Sequence, residues 1–177
     1  MIYLCEREIG FDTNEIGFPS VLGCRAIVLA TGGGLFGFHL NGVLSDAKKT
    51  AFVNFITNHG QGNPKRTLYA ASTGLGLAAD HAELRAIAAD LHYAGSIYWG
   101  NLSTISPGSV YAHFQGVNFT TCGITGRAWS DAADNIPANK GPYVAGANRA
   151  IANGAANGQM FINASTVGLR GVYPAAI

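Results

Sequence analysis

Charged residues, cysteines and long apolar stretches are all scarce in this sequence, and each scarcity excludes a class of protein. Only 12% of the 177 residues are charged and the formal net charge is +1, so no basic stripe indicates nucleic-acid binding. No apolar run reaches the roughly 18 residues that a membrane-spanning helix needs. The three cysteines are an odd and widely spaced set, which is not a disulfide framework, so at least one free thiol is expected.

What is present indicates one globular domain over residues 1–177. Apolar residues make up 48% of the chain, which is enough for a sizeable core, and the 24 glycines are scattered without a period, which predicts many turns rather than a repeat architecture. Alternating strand and helix patterns predict the α/β class, with a mixed β-sheet or β-sandwich flanked by helices.

The predicted elements follow from apolar periodicity and turn residues. A first helix begins after an N-cap at Ser45 and ends at Gly60, and a second begins with a capping box of Asp80 and Glu83 and ends at Gly95. The strand–helix–strand order around the second helix predicts a parallel crossover. Residues 6–20 are predicted to be turn-rich, and 144–156 a weak helix or loop. Strands are predicted at residues 2–4, 25–30, 35–40, 67–71, 96–99, 110–114, 117–122 and 159–162.

A cysteine and a histidine flank the predicted hairpin of residues 25–40. If the turn is centred between Thr31 and Gly32, Cys24 and His39 face each other directly, with Cβ atoms about 4.5–5.5 Å apart. If the centre is Gly32-Gly33, Cys24 faces Asn41 and lies diagonal to His39 on the same face. A three-residue loop would put the pair on opposite faces. We expect the first register.

This proximity predicts thiol chemistry. An imidazolium beside Cys24 would lower the pKa of the thiol and favour the thiolate. A thiolate with an imidazole can attack a carboxamide and then protonate the leaving ammonia. Gly23, directly before the cysteine, would let backbone N–H groups approach the oxyanion.

The segments Val21-Leu22-Gly23-Cys24 and Phe38-His39-Leu40-Asn41-Gly42 resemble the catalytic core of the glutamine deamidases of the cytotoxic necrotizing factor type. Those toxins carry a Leu-Ser-Gly-Cys motif and a histidine at the end of the next strand; the Leu-Ser-Gly order is not kept here. The lethal-factor deamidases and the chemotaxis-receptor deamidases look similar. The resemblance covers residues 20–42.

The resemblance implies a protein-glutamine deamidase with Cys24 as nucleophile and His39 as base, without a metal or organic cofactor. It also implies a third group, a hydroxyl or backbone carbonyl, that orients the histidine, for which Ser20, Asn14 and Thr13 are candidates, Ser20 first. Gly23 and Asn41 are further expected supporting residues. The implied partner is a protein carrying the target glutamine, such as a host GTPase or translation factor, with no nucleic acid and no membrane span.

Localisation is expected from the same resemblance. The first eight residues carry charge and lack the basic and then apolar pattern of a secretory signal. We expect the bacterial cytoplasm before export, and a signal-peptide-independent route into a host or target cell.

Other interpretations remain open at this point. The enzyme could be another cysteine hydrolase or transglutaminase-like protein, and Cys122 with His113 is a weaker candidate pair. A non-enzymatic, glycine-rich binding module, with Cys24 as a packing residue, is the alternative of a different class. His81 and His92 are eleven residues apart, and no H-x-x-x-H or C-x-x-C motif predicts a metal site.

Overall fold

The computed structural model describes residues 1–74, 78–117, 121–134, 148–152 and 167–177. They form two β-sheets packed face to face, with the two long helices on the outer side of the larger sheet. The described strands, in chain order, are β1 (Ile2–Tyr3), β2 (Glu8–Asp12), β3 (Glu15–Val21), β4 (Arg25–Thr31), β5 (Gly34–Leu40), β6 (Lys65–Ser72), β7 (Ile97–Asn101), β8 (Val110–Val117), β9 (Thr121–Ala128), β10 (Arg149–Ile151), β11 (Arg170–Val172) and β12 (Ala175–Ala176). The helices are α1 (Asp46–His59), α2 (Ala78–Asp90), a 3₁₀ turn (Leu102–Thr104) and α3 (Asp131–Asp134).

Both sheets are mixed. The five-stranded sheet has the order β1-β3-β8-β9-β11, and the seven-stranded sheet has the order β10-β2-β5-β4-β6-β7-β12. The pairs β1–β3 and β6–β7 are parallel, and the other described pairs are antiparallel. Helix α2 lies between β6 and β7 in the chain, so the parallel crossover is confirmed. The predicted α/β domain with a β-sandwich flanked by helices is also confirmed.

Strand β4 lies at the centre of the molecule. Val28 and Ala30 face the smaller sheet, while Ile27 and Leu29 face the helices. All seven residues of β4 are buried because both of its faces are covered. This burial explains why the strand reads as a continuous apolar run rather than an alternating one.

Helix α1 has the predicted ends. The Ser45 hydroxyl accepts a hydrogen bond from the Lys48 N–H, and Gly60 is the C-cap. These contacts satisfy main-chain groups that the helix leaves without internal partners. Phe52, Phe55 and Ile56 form the buried face against the larger sheet.

Helix α2 begins at Ala78, so the predicted N-terminus at Asp80 is wrong. Asp80 and Glu83 instead bind the guanidinium of Arg25, with N–O distances of 3.4 and 2.6 Å. Arg25 is only 8% exposed, and a buried cation needs anionic partners. The two carboxylates therefore attach α2 to the start of β4.

The prediction of a turn-rich stretch over residues 6–20 is also wrong, because β2 and β3 lie there. The glycines that suggested turns are positions of close packing. A Cβ at Gly10 would lie 2.7 Å from carbons of Ile2 and Leu4, and one at Gly17 would lie 2.6 Å from atoms of Tyr3 and Tyr111.

The C-terminal part differs from the predicted pattern in two places. The predicted strand 117–122 is wrong, because β8 ends at Val117 and β9 begins at Thr121, and residues 118–120 lie outside the described part. Within the predicted weak helix or loop of 144–156, residues 149–151 form β10, and most of the remainder lies outside the described residues, as does the predicted strand 159–162. Among the described residues, no helix is both long enough and apolar enough to cross a membrane.

Candidate active site

The hairpin of β4 and β5 has a two-residue turn. Thr31 pairs with Gly34 and Ala26 pairs with His39, so the turn is centred on Gly32-Gly33. Continuing the ladder by one position places Cys24 opposite Asn41 and diagonal to His39, on the face towards the smaller sheet. The directly opposed register of Cys24 and His39 is therefore wrong, and the second register, which keeps both on one face, is the one observed.

The register shifts because Gly34 belongs to the strand. The Thr31 hydroxyl donates to the Gly34 carbonyl and accepts from the Gly33 N–H. A Cβ at Gly34 would lie 2.6 Å from the main-chain oxygen of Asp12 in β2. Gly34 is therefore needed where β5 approaches its neighbour, and the turn uses only the first two glycines.

His39 is fully buried between the sheets. Its Nδ1 lies 2.8 Å from the Leu4 carbonyl oxygen. A carbonyl only accepts, so Nδ1 carries the hydrogen and Nε2 of the neutral ring carries the lone pair. Nε2 is buried without a hydrogen-bond partner among the described residues. Burial lowers the pKa of His39 and favours the neutral ring, so Nε2 carries an unprotonated lone pair.

Cys24 is 3% exposed, and its thiol donates to Oε1 of Glu6 at 3.6 Å. Burial, followed by the negative charge and hydrogen bond of Glu6, raises the pKa of the Cys24 thiol to about 11. The expectation of a thiolate stabilised by an imidazolium is therefore wrong for this structure. A buried, neutral His39 supplies no positive charge, and the nearest acid opposes ionisation.

Glu6 joins the two strand ends of the hairpin. One carboxylate oxygen accepts from the Cys24 thiol, and the other accepts from the Asn41 side-chain amide at 2.6 Å. The expected supporting residue Asn41 is thus linked to Cys24 through Glu6.

The segment between β1 and β2 brings these groups together. Leu4 supplies the carbonyl for His39 and Glu6 contacts Cys24, while the Arg7 N–H donates to the main-chain oxygen of His39 at 2.8 Å. Arg7 has a φ of +73°, which turns the chain across the hairpin end. Sequence reasoning missed this segment because it did not predict β2. The pairing of Ile9 with Phe38 is the relationship that would have placed residues 4–8 beside His39.

The other predicted supporting residues have different roles. Gly23 has a φ of +68° with open space at its Cβ position, and its N–H donates to the Thr73 hydroxyl at 3.1 Å. This glycine is therefore required by backbone conformation, and its N–H is bound to Thr73 rather than available to an oxyanion. The Ser20 hydroxyl contacts that of Ser109 at 3.3 Å.

Ser20 is thus not the group that orients His39. The alternative candidates, Thr13 and Asn14, line a cavity of about 180 Å³ beside Thr31 and Gly34, at the opposite end of the hairpin. The orienting group is the Leu4 carbonyl, which is of the backbone type.

Cys122 and His113 do not form a second pair. The Cys122 thiol lies in the core between the sheets, and burial raises its pKa to about 12. His113 contacts Thr125 and Glu15 instead. In the described part of the chain, no group of three or more His, Cys, Asp or Glu side chains is arranged to hold a metal ion.

No protein family matches the chain. No curated protein matches it at a significant level.

Proposed function

We propose that this protein is a cysteine-dependent amidohydrolase that converts a glutamine side chain of a target protein to glutamate and ammonia. One observation carries the proposal: the Leu4 carbonyl fixes the tautomer of His39, which leaves Nε2 as a base on the face that carries Cys24. A base that a third group orients, on the face that carries the nucleophile, is the arrangement proposed here to activate the thiol.

The reaction proceeds from the neutral pair. Sγ of Cys24 attacks the carboxamide carbon as its proton passes to Nε2 of His39, and the carbonyl electrons move onto oxygen. His39 then gives that proton to the amide nitrogen, the C–N bond breaks and ammonia leaves a thioester. Water attacks the thioester with His39 again as base, and the released Sγ recovers the proton. Because burial and Glu6 raise the pKa of the Cys24 thiol to about 11, the thiolate forms only during attack, and the proton has to be removed in that same step.

A protein substrate fits the surroundings of the pair. Leu22 and Val43 lie on the two loops that leave this end of the hairpin, and they are 56% and 77% exposed. Exposed apolar side chains beside a reactive group are suited to contact a partner protein. In line with the resemblance of residues 20–42, the partner would be a host GTPase or translation factor, reached after export from the bacterial cytoplasm by a signal-peptide-independent route.

The test uses intact mass and ammonia release. Purified small GTPases and translation factors are incubated with the wild-type protein, with Cys24→Ala and with Cys122→Ala as the matched control. We expect a gain of about one dalton per glutamine, the mass change of carboxamide hydrolysis, with the wild type and Cys122→Ala only. Activity that survives Cys24→Ala would exclude the proposed nucleophile, and cleavage of the target chain would indicate a protease.

A packing role for Cys24 is the second candidate, favoured by its burial. Cys24 belongs to the same buried cluster as Val21 and Ala26, and a small apolar thiol suits that position. In this case Cys24→Ala would cost about 1 kcal/mol of unfolding free energy. Neither the wild type nor Cys24→Ser would deamidate any target.

A further inference from the structure

The contacts of the Glu6 carboxylate with Cys24 and Asn41 resemble those of a bound product. A glutamate side chain ends in a planar carboxylate, which is the group that deamidation of glutamine leaves. In this structure one oxygen of such a group lies 3.6 Å from the Cys24 sulfur, and the other accepts a hydrogen bond of 2.6 Å from Asn41. Attack on a substrate carboxamide likewise needs the planar group beside the sulfur of Cys24 and its carbonyl oxygen on a fixed donor.

We propose that Glu6 occupies the position of the substrate carboxamide as an internal product analogue, and that the Asn41 side-chain amide is the donor that binds the substrate carbonyl oxygen. The inference rests on the proposed function. It explains why Cys24 is almost fully buried in a site meant to receive a protein side chain. Glu6 covers the thiol, and a substrate must displace it.

The position of Asn41 supports this assignment. Asn41 directly follows β5 and lies opposite Cys24 by continuation of the hairpin register, and its main-chain oxygen accepts from Lys48 of α1 at 2.6 Å. The side-chain amide is thus held on a supported segment, as a preorganised donor has to be. The Gly23 N–H, the other candidate donor from the sequence, is already bound to Thr73.

The first experiment measures the thiol alone. Alkylation of Cys24 by iodoacetamide at pH 8 is followed by peptide mass spectrometry in the wild type, in Glu6→Ala and in Glu15→Ala as the matched control. Removing the cover and its negative charge is expected to raise the rate at least about tenfold, whereas Glu15→Ala leaves it unchanged. A rate in Glu6→Ala within twofold of the wild type overturns the inference, whatever the protein hydrolyses.

The second experiment makes the internal analogue a substrate. In Glu6→Gln the side-chain carboxamide would lie against Cys24, and hydrolysis with one water would return glutamate and release ammonia. We expect residue 6 to gain about one dalton over hours, the mass change of amide hydrolysis. Glu6→Gln combined with Cys24→Ala should keep its glutamine.

Adding Asn41→Ala to Glu6→Gln should slow this conversion about a hundredfold, the usual effect of losing one oxyanion donor. The matched control is Asn54→Ala on the exposed side of α1. Alkylation of Cys24 in the Asn41 variant should stay as fast as in Glu6→Gln alone, which separates loss of the donor from loss of the fold. Conversion that does not slow overturns the role of Asn41.

The two experiments separate the two proposals. Faster alkylation in Glu6→Ala with no conversion in Glu6→Gln, and no ammonia from any target, overturns the enzymatic function and leaves Glu6 as the cover of the thiol. Deamidation of a target with unchanged alkylation in Glu6→Ala upholds the function and overturns the role of Glu6.

Discussion

The imidazole of His39 and the main-chain carbonyl of Leu4 form a hydrogen bond of 2.8 Å that joins the hairpin to the N-terminal segment. This bond fixes the ring orientation and the tautomer with one contact. Because the donor side of the ring is used, the lone pair of Nε2 points away from Leu4. The residues that contact His39 and Cys24 are therefore distant from them in sequence: Leu4 binds the imidazole and Glu6 binds the thiol.

Replacing His39 separates its structural role from its chemical role. His39→Asn keeps a side-chain amide that can donate to the Leu4 carbonyl but has no basic nitrogen, so the fold should persist while deamidation is lost. His39→Ala leaves that carbonyl without its donor and opens a cavity, which should cost about 2–4 kcal/mol of unfolding free energy. Urea unfolding and ammonia release measure the two effects. If His39→Asn is as unstable as His39→Ala, the hydrogen bond to the Leu4 carbonyl does not account for the contribution of His39 to stability.

The raised pKa of Cys24 predicts how stability depends on pH. The folded state holds the thiol proton more tightly than the unfolded state does, because the pKa rises from 9.0 to about 11. The contribution is therefore complete below pH 9 and is lost as the pH rises through 11, a loss on the order of 2 kcal/mol. Urea unfolding at pH 8, 10 and 11 should show a steeper decline for the wild type than for Cys24→Ala. Cys122 is present in both proteins, so the difference reports Cys24. Parallel curves would show that the environment of Cys24 does not favour the protonated thiol.

Sequence patterns predicted those parts of the molecule whose signals are local. The apolar run of β4, the caps of α1 and the helical crossover from β6 to β7 each depend on neighbouring residues, and each was predicted correctly. The hairpin was predicted, but its register depended on which of three glycines belongs to the turn. That choice is decided by the approach of Gly34 to Asp12, a contact between strands that periodicity does not encode.

The groups around Cys24 and His39 were harder to predict for a related reason. A backbone carbonyl such as that of Leu4 has no residue-type signature, so only the chain path can place it. Glu6 lies in a stretch whose glycines suggested turns. Gly10 and Gly17 instead leave room for Tyr3, Leu4 and their neighbours to pack against the strands. Without β2 and β3, nothing in the sequence brought residues 4–8 to the end of the hairpin.

The exposed side chains of Leu22 and Val43 provide a test of recognition that leaves the chemistry intact. Neither is buried, so Leu22→Glu and Val43→Glu should change the free energy of unfolding by less than about 0.5 kcal/mol. Each should reduce deamidation of a target protein while Cys24 alkylation in the same variant keeps the wild-type rate. Tyr173→Glu, at a residue that is 92% exposed and outside the loops of the pair, is the control. Equal losses in all three variants would indicate an effect of surface charge rather than of a contact at these loops.

Gly37 lies where the side chain of Leu4 packs against the hairpin. It lies on the same face of β5 as His39, two residues away, and a Cβ there would lie 2.7 Å from Cδ1 of Leu4 and 2.9 Å from Cδ1 of Ile16. Gly37→Ala therefore requires the side chains of Leu4 and Ile16 to shift, and overpacking of this kind costs about 1–3 kcal/mol of unfolding free energy. We expect the shift to displace Leu4 and to lengthen the bond from its carbonyl to His39. Deamidation should fall further in Gly37→Ala than in Gly23→Ala. At Gly23 the added methyl group meets no atom within 4 Å, and only the positive φ opposes it.

The Gly37 variant also tests whether the Leu4 carbonyl matters to the base. An imidazole released from Leu4 can exchange its tautomer, so the ring ¹⁵N shifts of His39 should change from one fixed tautomer to a mixture in Gly37→Ala. Urea unfolding of both glycine variants supplies the stability comparison. If Gly37→Ala keeps the single tautomer and full deamidation activity despite the loss of stability, Leu4 contributes to packing and not to the orientation of the base. The base would then be oriented by some other contact of His39, such as its edge-on packing against Phe18 at 5.8 Å.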